Sequence, residues 1–195
     1  AQQPVKAKRC IGFLPEIPPV YPDMTPQEYL TFAGELKKVP KKELKAEVER
    51  VMELTGISHM RNRLIKNLSK GYRQRVGFSC ALLGNPKIII LDEPTAGQDL
   101  IGIKRLENIL TELKKENKTV VTITHDMEFA VNNFKKIFVM SHKNLLRVGN
   151  AKEIFSDDEL LKESMLKKTY IGDLCDKLNL NETAVTIEEF LKYFV

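Results

Sequence analysis

Residues 87–94, KIIILDEP, constrain the fold more than any other stretch of the sequence. An apolar, isoleucine-rich run ends there in two carboxylates, Asp92 and Glu93, and is closed by Pro94. The run is too short for a helix and is typical of a strand that is buried on both faces of a parallel sheet. The segment therefore predicts a central strand with two acids at its carboxyl end.

The rest of the chain alternates between strand and helix patterns. We expect strands at 9–16, 119–125 and 135–141, and helices at 101–116 and 126–134. Capping signals predict three further helices, which begin after Thr25, Pro40 and Ser69, and residues 151–195 return to helix with a capping box at Thr186 and Glu189. Short links between alternating elements predict an α/β fold whose parallel sheet is covered on both faces.

Composition narrows the class of protein only mildly. With 195 residues, 31 basic and 26 acidic side chains and a net charge of +5, the chain fits one core with a small attachment and a slight bias toward an acidic partner. Cys10, Cys80 and Cys175 form no CxxC pair, which argues against zinc and disulfides. No apolar run reaches the ~18–20 residues that span a bilayer, so we expect a soluble chain that reaches a membrane only through a partner.

Acidic and imidazole side chains follow the predicted strands where a parallel sheet opens its binding crevice. Asp92 is expected to hold Mg²⁺ through water, and Glu93 to polarise or deprotonate an attacking water. His125 can hydrogen-bond a terminal phosphate, and Glu16 can approach the same metal as a hard oxygen ligand. The alternatives are solvated acids, a structural histidine and an ordinary loop acid.

The stretch LSKGYRQR, residues 68–75, predicts a phosphate contact. Ser69 and Gly71 lie at a helix start, where a hydroxyl, free backbone N–H groups and the positive dipole end suit a phosphate. A plain capped helix is the alternative.

In order along the chain, these motifs resemble those of an ATP-binding cassette (ABC) ATPase. LSKGYRQR is similar to the signature motif, IIILDE to Walker B with its catalytic Glu93, AGQD to the D-loop, and ITHD to the switch-histidine loop, while Glu16 after IGFLP matches the Q-loop position. The resemblance implies a P-loop NTPase core, ATP and Mg²⁺. It assigns catalysis to Glu93 and His125, and metal binding to Asp92 and Glu16. It assigns nucleotide binding across a head-to-tail dimer to Ser69, Lys70, Gly71, Tyr72 and Asp99, and Asp99 would also communicate across that dimer.

Three departures from the family pattern matter. Lys70 and Tyr72 stand where the commonest signature has Gly and Gln, and Glu16 replaces the usual Gln. No G-x-x-x-x-G-K-[ST] phosphate loop (Walker A) occurs in the 195 residues, and no aromatic that would stack on adenine. We therefore expect a core that is incomplete at its N-terminus, with an open sheet edge and bare apolar surface.

We expect four parts: a core strand and Q-loop at 1–16, a helical subdomain with the signature at 17–84, a RecA-like core at 85–150, and a C-terminal helical extension at 151–195. The tail resembles energy-coupling-factor ATPases, whereas residues 17–80 resemble export or multidrug cassettes.

The resemblance implies a transporter ATPase subunit, present as a fragment that is inactive alone, which pairs with a second ATPase and with transmembrane subunits at the inner face of the cell membrane. The alternative is a non-catalytic module that donates its signature motif to a complete ATPase. A soluble cassette that acts on ribosomes or DNA is a third hypothesis, which the transporter-like tail disfavours.

Overall fold

The computed structural model describes residues 4–180 and 184–194. The helices within them are α1 Pro4–Arg9, α2 Pro26–Leu36, α3 Lys41–Thr55, α4 Lys70–Leu82, α5 Leu100–Lys115, α6 Met127–Asn133, α7 Ala151–Phe155, α8 Asp158–Ser164, α9 Tyr170–Lys177 and α10 Ile187–Leu191. The strands are β1 Ile11–Leu14, β2 Ile88–Asp92, β3 Thr119–Ile123, β4 Ile137–Ser141 and β5 Asn144–Gly149. Contacts divide the chain into two compact units, Ala1–Thr124 and His125–Val195.

The first unit contains a parallel sheet with the strand order β1-β2-β3. Leu14 of β1 pairs with Leu91 of β2, which pairs with Thr122 of β3. The carboxyl ends of the three strands therefore meet at one edge, as the sequence pattern predicts, and the α/β fold class is confirmed.

Helices cover one face of this sheet. Leu14, Ile89 and Leu91 are buried on that face. Helix α4 approaches β1 so closely that a Cβ at Gly12 would lie 2.2 Å from the carbonyl oxygen of Ala81, which only glycine permits.

The opposite face of the sheet is bare. Its side chains include Phe13, Val121 and Ile123, which are 53%, 47% and 55% exposed. The prediction of a sheet covered on both faces is therefore wrong for the described residues of the first unit, because these side chains are exposed. The bare face agrees with the expectation of uncovered apolar surface.

Three helices of the first unit begin or end at predicted signals. Thr25 and Glu28 form the expected capping box of α2. Gly56 ends α3 in the left-handed conformation, with φ 72°, and Ser69 caps α4. Helix α1 was not predicted.

The second unit holds a β-hairpin that the sequence pattern missed. Strand β4 was predicted in the parallel sheet, but it pairs antiparallel with β5, which was not predicted. His142 and Lys143 form the two-residue connection with φ of 48° and 65°, the left-handed geometry of a tight hairpin. His-Lys is not the Asn-Gly pair that announces such a turn, so the hairpin gave no sequence signal.

The hairpin packs with the C-terminal helices around a buried cluster that includes Val139, Ile154, Phe155 and Leu161. The predicted capping box of α10 is half right: Thr186 accepts from the backbone N–H of Glu189, but the Glu189 carboxylate accepts from the N–H of Val185. Within residues 4–180 and 184–194, no helix combines the length and apolarity needed to cross a bilayer.

Candidate functional site

The start of α4 presents polar groups at the surface of the first unit. The Ser69 hydroxyl accepts from the backbone N–H of Tyr72 at 3.3 Å, and the side chains of Ser69 and Lys70 are exposed. Free N–H groups and the positive end of the helix dipole favour an anion at such a position. Ser69 is therefore accessible to a ligand from outside the unit, whereas Gly71, the other predicted phosphate contact, is buried.

Gly71 brings this helix start against the loop that follows β2. A Cβ at Gly71 would lie 2.6 Å from the carbonyl oxygen of Gly97, so the two backbones touch. Gly97 itself has φ 71°, a conformation that favours glycine. The signature and D-loop segments thus form one contiguous surface.

Asp99 caps the helix that follows the D-loop. Its Oδ1 accepts from the N–H of Gly102 at 2.7 Å and from Nη2 of Arg75 at 3.3 Å. The neighbouring Gln98 contacts both Gly71 and Arg75 through its side-chain amide. The carboxylate that was predicted to communicate across a dimer is 71% exposed while its partner Arg75 is 15% exposed.

Tyr72 lies in a small aromatic and cationic cluster. The Arg75 guanidinium is 5.1 Å from the centre of the Tyr72 ring, and the His59 ring meets it edge-on with centres 5.5 Å apart. The Tyr72 hydroxyl lies 3.1 Å from His59 Nε2. These contacts hold the side chain that replaces the usual Gln of the signature, so its orientation is set within this unit.

Asp92 and Glu93 follow β2 at the carboxyl edge of the sheet. Glu93 has φ 44°, its N–H donates to Ile123 at 2.9 Å, and the Thr124 hydroxyl donates to Glu93 Oε2 at 3.2 Å. The end of β3 therefore orients this carboxylate, as a residue that positions a water requires.

The fit of Mg²⁺ depends on how few protein ligands it needs. Among the described side chains, no group of three His, Cys, Asp or Glu residues forms a metal site. Mg²⁺ usually takes one or two carboxylates and keeps water and phosphate oxygens in its other positions. Half-buried Asp92 at the strand end fits that role, while Glu16 is exposed beyond β1.

His125 is the first residue of the second unit. It lies two residues beyond β3, whereas the sequence pattern predicted that it would end the strand. Its role toward a phosphate remains a prediction.

Comparison with known proteins places these motifs in a family. A family model described as ABC transporter matches residues 2–96. The solved structure of cbiO1 from Clostridium perfringens, part of the ABC transporter complex cbiONQ, is similar with a TM-score of 0.69 and 30% identity over 88% of this chain and 69% of that chain. The chain belongs to the ABC transporter ATPase family.

Other ABC proteins agree. The energy-coupling factor transporter ATP-binding protein EcfA1 of Mycoplasmoides gallisepticum is 35% identical over 87% of this chain and 60% of its own length. The energy-coupling factor transporter ATP-binding protein EcfA2 of Clostridium perfringens is 33% identical over 76% of this chain and 53% of its own length. The predicted resemblance to energy-coupling-factor ATPases is confirmed. The chain spans just over half the length of these two curated relatives.

The sequence motifs did not predict the roles of Gln98 and Arg75, the side chains that join the signature to the D-loop. Both lie inside quoted motifs, yet no spacing rule links them, because they come together only through packing of α4 against the D-loop.

Proposed function

We propose that the chain belongs to the ATP-binding and ATP-hydrolysing subunit of an ABC transporter, which powers solute movement through separate membrane subunits. The observation that carries this proposal is the backbone contact of Gly71 with Gly97, which unites signature and D-loop on one surface. The names of the relatives, energy-coupling factor transporter ATP-binding proteins, support it.

In this proposal each residue has a separate task. The Ser69 hydroxyl and the N–H groups at the start of α4 receive the γ-phosphate of an ATP that is held by a second ATPase subunit. Glu93 orients or deprotonates the attacking water, and His125 hydrogen-bonds the γ-phosphate. Asp92 and Glu16 would hold Mg²⁺, which neutralises phosphate charge when bound.

A second candidate function is a module that donates its signature motif without hydrolysing ATP itself. The observation that favours it is the sheet face with Phe13, Val121 and Ile123, which is bare among the described residues of the first unit. A parallel sheet is normally covered on both faces, so a polypeptide segment that covers this one would complete the core.

The segment from Glu16 to Asp23 is the proposed contact with a membrane subunit, which would hold the assembly at the inner face of the membrane. Ile17 and Tyr21 are 80% and 50% exposed there. Cysteines placed at these two positions should cross-link to a transmembrane partner, and their failure to do so in an assembled transporter would overturn this assignment.

Signature donation is testable with a complete ABC ATPase whose own signature serine is replaced by alanine. Mixed with the purified chain and Mg-ATP, it should release phosphate, and Ser69→Ala should lower that rate about 100-fold, as loss of one transition-state donor does. Ser156→Ala, at an exposed position of the second unit, is the matched control. No rise in rate with the wild-type chain would contradict the proposal.

Equilibrium titration of the chain alone with Mg-ATP separates the two candidates. Micromolar binding with phosphate release that Glu93→Gln abolishes would favour the enzyme. Absence of saturation at millimolar ATP, with signature donation intact, would favour the donating module.

A further inference from the structure

We propose that Gln98 is a positioning residue that locks the signature turn, residues 69–72, to the D-loop, residues 96–99, with Arg75 as its support. The lock is a feature of the first unit alone. Its role in ATP hydrolysis rests on the proposed function.

The side-chain amide of Gln98 uses both of its ends. Nε2 donates to the carbonyl oxygen of Gly71 at 3.1 Å, and Oε1 accepts from Nε of Arg75 at 3.0 Å. A carbonyl oxygen accepts only and a guanidinium donates only, so one orientation of the amide satisfies both neighbours. Gln98 therefore binds the backbone of the signature turn and the side chain of Arg75 at the same time.

Arg75 is held on three sides. Besides Gln98, its guanidinium donates to Asp99 at 3.3 Å and lies over the ring of Tyr72. Its side chain is 15% exposed, so its hydrogen bonds face little competition from water. The planar guanidinium is the group that can serve an amide, a carboxylate and an aromatic face at once.

Glycines keep the space for this lock open. A Cβ at Gly102 would lie 2.4 Å from Gln98 Oε1 and 2.6 Å from Arg75 Nη2. Together with the touching backbones of Gly71 and Gly97, this leaves no room for either segment to slide past the other without breaking the bonds of Gln98.

The lock joins two surfaces with different tasks. Exposed Ser69 faces a phosphate from a partner subunit in the proposed function, and exposed Asp99 lies on the D-loop. A displacement of the signature turn by nucleotide is thus transmitted to the D-loop of the same chain through Gln98, without passing through the strand that carries Glu93.

Amide hydrogen exchange of the purified chain, read by mass spectrometry, tests the lock without a ligand. Gln98→Met keeps the side-chain length but removes both bonds. We expect exchange in residues 69–75 to become at least about 2- to 10-fold faster, which is the effect on local opening of losing the bond to the Gly71 carbonyl alone. Gln27→Met, at an exposed position of α2, is the matched control and should leave that exchange unchanged.

Gln98→Glu distinguishes the lock from simple support of Arg75. The carboxylate keeps the bond from Arg75 but turns an acceptor toward the Gly71 carbonyl. Faster exchange at 69–75, as in the methionine variant, is expected. Exchange equal to wild type in both variants, or in Gln98→Glu alone, would overturn the proposal.

In the mixture with the signature-deficient ATPase, Gln98→Met should lower kcat with little change in KM for ATP, because the proposed function assigns the nucleotide contact to Ser69 and the start of α4 and not to Gln98. If the wild-type chain never restores phosphate release, the proposed function fails. The exchange experiment still tests whether Gln98 holds the signature turn to the D-loop, because it needs no ligand. If Gln98→Met shows the expected faster exchange but an unchanged kcat, the lock is only structural and its proposed role in ATP hydrolysis is refuted.

Discussion

Lys37 shows at the scale of one residue how the first unit joins its helices. Its Nζ donates to the carbonyl oxygens of Cys80, Ala81 and Leu83, at 2.6, 3.2 and 3.2 Å. These carbonyls belong to the end of α4, where helix carbonyls lack partners within the helix. Burial lowers the pKa of Lys37, and attraction to Cys80 and Glu47 opposes that shift.

Lys37→Met should lower the free energy of unfolding by about 1–3 kcal/mol, because it removes three hydrogen bonds to partly buried carbonyl oxygens. Urea denaturation measures the change. Lys41→Met, at an exposed position of α3, is the matched control and should stay within about 0.5 kcal/mol of wild type. Equal stabilities of the two variants would show that the three bonds contribute nothing.

Residues whose role follows from local sequence were predictable. Thr25, Gly56 and Ser69 act at helix ends by rules that involve only their neighbours. Gln98 and Lys37 were not, because their partners lie 23 or more positions away and are defined by packing. Polar side chains that serve distant backbone groups leave no periodic signal in the sequence.

At the scale of elements, Glu47 ties α3 to the turn after α4. Its carboxylate accepts two bonds from Arg50, at 2.7 and 2.8 Å, and one from the N–H of Gly84 at 3.0 Å. The bonds from Arg50 are the largest cause that lowers the pKa of Glu47 from its ordinary value of 4.5, although burial opposes them.

A lowered folded-state pKa stabilises the fold above the unfolded pKa and loses that stabilisation as pH falls through the folded value. The advantage of wild type over Glu47→Gln in free energy of unfolding should therefore be full at pH 7 and shrink below about pH 4.5. Urea denaturation across this range measures it. An advantage that is independent of pH would contradict the role of the charged carboxylate.

The β4–β5 hairpin depends on two residues that are poorly suited to its turn. His142 and Lys143 both have positive φ. Replacing them with Asn and Gly should stabilise the second unit by about 0.5–1 kcal/mol, because these residues adopt the left-handed region with less strain. Chemical denaturation of the double variant, followed by amide exchange in residues 137–149, tests this. Lower stability would mean that the His and Lys side chains make compensating contacts.

Some strands of the molecule could be predicted from the sequence and others could not. β2 and β3 were identified because short apolar runs lie between turn signals. The pairing of β4 was not, since a strand pattern does not specify its neighbour, and the deciding turn carries no glycine or asparagine.

At the scale of the whole molecule, one face of the parallel sheet is exposed, although both faces of such a sheet are normally covered. The double variant Val121→Thr, Ile123→Thr should bind less of a hydrophobic dye, measured by fluorescence, and associate less with rising concentration, measured by sedimentation. It should lose little stability, because both side chains are already exposed. Ile89→Thr, on the buried face, is the contrasting control and should destabilise the chain by more than 1 kcal/mol, roughly the cost of an unpaired buried hydroxyl. Unchanged association in the double variant would show that this face attracts no partner.

The α/β class was predictable because alternating strands and helices with short links imply a parallel sheet. Coverage of the sheet was not, since it depends on which helices are available to pack against each face.

The side-chain amide of Gln98, which joins Gly71 to Arg75, also restricts which substitutions this sequence can accept during evolution. A lineage that first loses Arg75 leaves Gln98 Oε1 without this donor, and one that first loses Gln98 removes a hydrogen-bond partner from both Gly71 and Arg75. The effects of substitutions at positions 75 and 98 are therefore epistatic, and the two should change as a pair or stay together.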